Sequence, residues 1–553
     1  MAVMFKRICQ WLAAHPHWTL TLLAVAVLGP LLGKPFNLDD PLFIWLAQHV
    51  QVQPANPFGF DVNWYGLVSP MWTVTENPPL AGYYFALAGS VFGWSEIGLH
   101  LAGLLAALAV ILGTYRLAAR LCGQPLLAAC AVLFTPVFLV SASTVMCDVL
   151  LLAFWVWAVV FWVEGLEQNR AAKIILAGGM VALAMLTKYF GVALIPLLAV
   201  HGGFQKRKAG AWLAGLLIPL AALVAYQWLT QALYGHALFS DAAGFVKAAH
   251  GKLGVSKLAS GLTALAFTGG GVASAVFLAP WLWRARTLLT VLGVTALVGG
   301  ALFFTCVLPA FPALEGAARL EAAGQFVFWA AGGALVLWLA ADDWRQRRDS
   351  QAWLLVLWVA GTFAFAAFGN WTVNGRSILP MLPAVGIVLA RRYERSKWIG
   401  RPALKIGMAV GAVFALLVAD ADFQLAVAVQ RTAREAMAKV GQGRGTVWFE
   451  GHWGFQYYME QAGAKAVDYH HFQPAPGDIL VLPLHNTYIS EPPPGMVARR
   501  DVLSVPGPIG LTTWQAAVGA GFYSSVTGPL PFAFGAVPAE SLYIYELKTA
   551  AGK

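Results

Sequence analysis

Long apolar runs separated by short polar breaks dominate the chain. They lie at about 18–32, 97–119, 125–141, 147–164, 174–187, 189–203, 211–232, 260–282, 287–309, 324–341, 351–368, 377–390 and 402–419. A helix that crosses a bilayer needs roughly 20 such residues, so the pattern predicts about thirteen spans. Runs such as 124–140, 147–163 and 324–341 are continuous, which excludes a transmembrane β-barrel, whose strands alternate apolar and polar positions. Two stretches depart from the pattern. Residues 34–95 form a long first loop with two segments, Pro41–Val50 and Pro78–Phe92, too short or too mixed to span. These predict helices along the interface, with Trp45, Trp64, Trp72, Tyr83 and Tyr84 at headgroup depth. From 421 to 553 the strand-like runs GTVWFE, DILVLPL and SLYIYEL stand between Gly/Pro-rich turns, with a helix expected near Gly454–Gln461. The expected fold is a polytopic α-helical membrane protein over residues 1–420, followed by an extracytoplasmic α/β or α+β domain over 421–553.

Composition agrees. Of 553 residues, 59% are hydrophobic and 11% charged, against about 25% charged in soluble domains. The net charge of +10 reads as an orientation signal rather than a nucleic-acid footprint. Threading the spans from a cytoplasmic N-terminus puts 20 Lys/Arg at inner ends and loops, 7 at outer ones and 9 in the tail. That asymmetry satisfies the positive-inside rule. Lys6 and Arg7 precede the first run and no small-residue cleavage site follows it, so it is expected to be a retained anchor. An odd number of spans then puts the tail on the far side. The five cysteines (Cys9, Cys122, Cys130, Cys147 and Cys306) have no paired spacing, which argues against a disulfide framework, a zinc site or an iron–sulfur site.

An ionisable group at membrane depth costs several kcal/mol and needs a partner or a task. The threading gathers these groups at outer ends: Asp39 and Asp40 opening the first loop, Glu76 and Asn77 before its second helix, Asp148 at the start of the fourth span, Lys188 between the fifth and sixth, and Arg376 before the twelfth. Structural readings exist for each. Asp39–Asp40 before Pro41 fits a helix cap, Asp148 and Lys188 fit an ion pair between spans, and Arg376 fits a side chain snorkelling to headgroups. His15, His17, His49, His100, His201 and His236 follow no ligand spacing, the denser His452, His470, His471 and His485 read as surface or turn residues rather than a metal site, and Asp420-Ala421-Asp422 resembles a metal-binding DxD only as a string. No metal site is predicted.

Five stretches, in order across about residues 15–400, carry a resemblance: NLDDPLFIWLAQHV, TENPPLAGYYFALAGSVFGWSEIGLHLAGLLAAL, TPVFLVSASTVMCDVLLLAFWVWAVVFWVEG, LAMLTKYFGVALIPLL and NGRSILPMLPAVGIVLARR. Together they resemble the bacterial members of the protein O-mannosyltransferase and aminoarabinose-transferase-like group of GT-C glycosyltransferases, related to glycosyltransferase family 39. The resemblance does not extend to the tail from 421. The resemblance implies a multi-pass enzyme of the bacterial inner membrane that moves a sugar, with inversion, from a polyprenyl-phosphate carrier to an acceptor on the periplasmic face. It also implies roles. The family's first loop begins with an acidic pair, usually Asp-Glu, whose first member is the base; here these are Asp39 and Asp40. The family's acid at the fourth span corresponds to Asp148, its Lys after the fifth to Lys188, and its Arg before the twelfth to Arg376. One departure stands out: aminoarabinose transferases carry Glu-Lys before the Pro pair, and this chain has Glu76-Asn77. That implies a different donor, or a replacement cation such as Lys188 or Arg376.

The chemistry asks for the same groups. Inverting transfer needs a base for the acceptor hydroxyl and a cationic cradle for the leaving phosphate. With Lys and Arg opposite a carboxylate, no cofactor is required and a divalent cation is optional. The expected partners are the lipid-linked sugar, membrane lipid and a glycan, lipid or protein acceptor. Two rival readings make different demands. A transporter or flippase of polyprenyl-linked glycans is expected to spread its charges through the midplane and to carry repeats. A non-catalytic scaffold has no need for converging acids and bases.

Overall fold

The computed structural model of the chain describes residues 11–12, 14–75, 77–206, 210, 212–304, 314–396, 400–441 and 445–548. Glu76, Lys6, Arg7, Arg207, Lys208, Lys397, Cys9 and Cys306 lie outside the described residues.

Among the described residues helices occupy every apolar run, but not all as full crossings. Six among the described residues are long and apolar enough to cross a membrane: Glu96–Leu121, Asp148–Glu167, Trp212–Tyr234, Gly316–Arg347, Ser350–Gly369 and Pro402–Val440. The number is eight if each of two bent pairs counts as one span. Pro125–Leu133 and Pro136–Ala142 meet at 64°, because Pro136 cannot continue the hydrogen-bond ladder and forces Thr135 extended. Lys257–Gly271 and Ala273–Leu282 meet at 85°, at the end of the Gly269–Gly271 run. Other runs make shorter helices, such as Pro16–Leu28 and Leu194–Lys206, each of 13 residues. Thirteen runs therefore do not translate into thirteen straight crossings by length. The two loop helices form as Asp40–Val52 and Leu80–Phe92.

Ion pairs mark the two ends of this bundle. In helix Asp148–Glu167, Asp148 meets Lys188 at one end. About 24 Å along the axis, Glu164, 1% exposed, is held by Arg116, Arg120 and Lys173. Buried Asp343 likewise pairs with Arg391 and Arg395. Several basic residues that the sequence offers as an orientation signal thus also neutralise buried carboxylates.

The change of composition at 421 falls inside one helix, Arg401–Val440. Beyond it a five-stranded sheet runs in the order Lys465–Ala466, Val447–Phe449, Ile479–Pro483, Glu540–Leu547, Val497–Val505. The first three are mutually parallel, and Glu540–Leu547 runs antiparallel to both of its neighbours, Ile479–Pro483 and Val497–Val505. Helix Trp453–Gln461 follows the first strand in sequence. Val497–Val505 escaped the sequence reading because it is an exposed edge carrying Arg499, Arg500 and Asp501, and charge is how sheet edges avoid pairing with other chains.

Candidate functional site

Four segments distant in sequence bring charged groups together. The first is the start of the long loop. Leu38, 3% exposed, holds a left-handed conformation with φ 47°, unusual for a bulky residue and found where the surrounding structure dictates the backbone. The turn separates the fates of its two neighbours. Asp39 lies on a cavity of about 710 Å³. Asp40 is fully buried, and its carboxylate accepts the backbone N–H groups of Asn37, at 2.9 Å, and Val145, at 2.8 Å. Burial raises its pKa to about 7, against the lowering influence of Lys34 and of those two N–H donors. Asp40, grouped with Asp39 in the sequence reading, is turned away from the cavity and ties the loop to the turn before Asp148.

Asp148 begins its helix, where a carboxylate is favoured by the helix dipole. Lys188 sits at the break between helix Ala171–Thr187 and the 3-10 turn Tyr189–Ala193, in extended conformation. The chain folds back so tightly that a Cβ on Gly191 would meet the Met185 backbone nitrogen at 2.4 Å. Arg376 belongs to a short helix, Gly375–Ile378, capped by Asn374, whose side chain accepts the Ser377 N–H at 2.8 Å.

These groups form a chain of alternating charge. Lys188 Nζ is 2.6 Å from Asp148 Oδ1, Arg376 Nη1 is 4.0 Å from Asp148 Oδ2, and Arg376 Nη1 is 3.0 Å from Asp39 Oδ2. Asp148 is 2% exposed and stands behind the cations, while Asp39, Lys188 and Arg376 reach the cavity. Arg376 Nε and Asp148 Oδ2 are buried without hydrogen-bond partners among the described residues. Asn77 also lines the cavity, 3.7 Å from the Cys147 thiol. Glu76 lies outside the described residues. Much of the remaining lining is apolar, with Phe43, Tyr189, Phe190, Phe239, Phe245 and Phe365. One cavity therefore offers a carboxylate, two cations and a greasy flank. No group of three or more His, Cys, Asp or Glu suited to a metal ion occurs among the described residues.

A second cluster went unnoticed in the sequence. Lys34 and Asp422, each 1% exposed, form a buried ion pair, and Asp422 also accepts Thr513 Oγ1 at 2.5 Å and the Tyr523 hydroxyl at 3.0 Å. Lys34 entered only a charge count and Asp422 only a DxD string, since no local pattern links residues 388 positions apart.

Comparison with known proteins agrees with the resemblance drawn from the motifs. The family model described as dolichyl-phosphate-mannose-protein mannosyltransferase matches residues 76–228. No curated protein matches the sequence. Among solved structures, ArnT from Cupriavidus metallidurans in the apo state is 15% identical, with a TM-score of 0.49 over 85% of this chain and 93% of that one. ArnT bound to undecaprenyl phosphate is 16% identical, with a TM-score of 0.43 over 84% and 92%. The Archaeoglobus fulgidus oligosaccharyltransferase tethered to an acceptor peptide is 14% identical, with a TM-score of 0.48 over 83% of this chain. This chain spans only 64% of that protein's length.

Proposed function

We propose that the chain is an integral membrane glycosyltransferase that moves a sugar, with inversion, from a polyprenyl-phosphate donor to an acceptor at the periplasmic face of the bacterial inner membrane. The observation that carries this reading is the convergence of Asp39, Lys188 and Arg376 on one cavity that also has an apolar wall. The family match over residues 76–228 supports it from the sequence side.

In this reading the donor phosphate docks on Arg376 and Lys188, and the prenyl chain lies along the apolar wall. Both cations are already engaged, Arg376 with Asp39 and Lys188 with Asp148. A phosphate that takes over Arg376 releases the Asp39 carboxylate, so donor binding prepares the base. Asp39 then removes the acceptor proton as the hydroxyl attacks the anomeric carbon. The bond from that carbon to the phosphate oxygen breaks, and the two cations stabilise the charge left on the phosphate. Asp148 keeps both cations in place. Asn77 offers a hydrogen bond but no charge, so the two cations carry the whole phosphate load. Residues 421–553 stand on the same side as the site and meet the acceptor.

Asp39→Asn tests this. Transfer of labelled sugar from polyprenyl phosphate is expected to stop while the protein still inserts and folds. Undiminished turnover removes Asp39 as the base.

A further inference from the structure

Arg376 is the cation nearest Asp39; its Nη1 meets Asp39, Asp148 and Met146 Sδ, and the loop that carries it is braced by the C-terminal segment Phe522–Ser525. The loop that carries it is stitched to that segment at successive residues. Gly375 N–H donates to the Phe522 carbonyl at 2.7 Å, and Ser525 N–H donates to the Val373 carbonyl at 2.8 Å. The Thr372 hydroxyl lies 3.0 Å from that of Ser524 and 2.9 Å from that of Ser525. The approach is close enough that a Cβ on Gly375 would meet the Phe522 ring at 2.6 Å. Between these contacts the Tyr523 ring, 6% exposed, lies 5.6 Å from the guanidinium carbon of Arg376, within cation–π range. Its hydroxyl donates to Asp422, which Lys34 and Thr513 hold in turn. Burial and the Asp422 charge push the phenol well above its ordinary pKa, so it remains a donor throughout the physiological range.

We propose that Tyr523 is a positioning residue for Arg376, anchored through Asp422 to Lys34, so that the C-terminal segment sets the geometry of the phosphate-binding cation. The role of Arg376 as phosphate ligand rests on the function proposed above. The anchoring itself does not. Lys34 opens the first loop and Asp422 lies on the last long helix, so the device ties three remote parts of the chain to one guanidinium. Removal of the Tyr523 hydroxyl frees the ring to shift and lets Arg376 relax toward its carboxylate partners, away from an incoming phosphate.

The test is a double-mutant cycle on the full chain in lipid nanodiscs, with undecaprenyl phosphate as the binding probe. Tyr523→Phe is expected to weaken binding about three- to tenfold, the scale of one hydrogen bond, and Tyr523→Leu, which also removes the ring, to weaken it further. In an Arg376→Gln background the Tyr523→Phe change is expected to cost nothing more, because its effect passes through the missing guanidinium. Equal losses in both backgrounds overturn the proposal, since a merely structural role does not depend on Arg376. If Tyr523→Leu does not insert, Tyr523→Phe, which removes a single oxygen, decides alone. If the wild-type chain does not bind undecaprenyl phosphate, the donor reading falls, and the same cycle read from thermal unfolding midpoints judges the anchoring. Coupling between positions 523 and 376 there supports it and additivity overturns it.

Discussion

Arg376 Nη1 stands 3.0 Å from Asp39 Oδ2 across 337 residues of sequence, and 4.0 Å from Asp148 Oδ2. One guanidinium thus joins the acid proposed as base to the acid that holds the second cation. Removing any member leaves a partner uncompensated in a largely buried place.

Asp39→Asn is expected to lower transfer by about 10²–10⁴-fold, the usual worth of a positioned general base. Its effect on donor binding should run the other way. With the carboxylate gone, Arg376 is freer for phosphate, so affinity for undecaprenyl phosphate should rise or hold. A binding titration beside a turnover assay reads both, and a parallel loss of affinity would contradict the competition between Asp39 and phosphate.

Arg376→Lys is not a conservative change, because a single ammonium cannot reach two carboxylates and a phosphate as a planar guanidinium does. Transfer efficiency is expected to fall about 10–100-fold, equivalent to about 1.4–3 kcal/mol. Lys188→Gln should fall in the same range. Steady-state kinetics with varied donor should show a raised donor KM together with a lowered kcat, because both cations bind the phosphate and stabilise the charge it gains on leaving.

Glu164→Gln gives a contrast from the other end of the helix. It leaves Arg116, Arg120 and Lys173 around a neutral amide. Loss of a buried carboxylate with partly exposed partners should cost about 1–3 kcal/mol of stability. Thermal unfolding should show the drop, while affinity for undecaprenyl phosphate stays unchanged because the site lies about 24 Å away.

Asp40 gives a pH dependence of known sign. Its folded pKa of about 7 exceeds the unfolded value of about 3.9. Between those values the folded chain holds a proton that the unfolded chain has released, so this group's contribution to stability falls as pH rises from about 4 to about 7. Asp40→Asn should remove that slope. It should also cost about 1–3 kcal/mol, because an amide nitrogen then faces one of the two N–H donors. Unfolding midpoints of both proteins across the window test the claim, and parallel curves would refute it.

Cysteine labelling tests the orientation. Single cysteines at positions 39 and 376 should react with an impermeant reagent added from the periplasmic side, and one at position 116 should not. The reverse pattern breaks the proposed topology.

What the sequence determined follows from local physics. A bilayer-length apolar run is a property of consecutive residues, as are the strands Val447–Phe449, Ile479–Pro483 and Glu540–Leu547. The cost of placing charge near hydrocarbon singled out Asp39, Asp148, Lys188 and Arg376 before any coordinates. Only the tertiary structure decided which of two adjacent aspartates reaches the cavity, because the left-handed turn at Leu38 depends on what packs around it. It alone decided that some apolar runs bend or stop short, and that Lys34, Asp422 and Tyr523 meet behind Arg376. Those pairings are set by the packing of remote segments, and local sequence carries no record of who the partner will be.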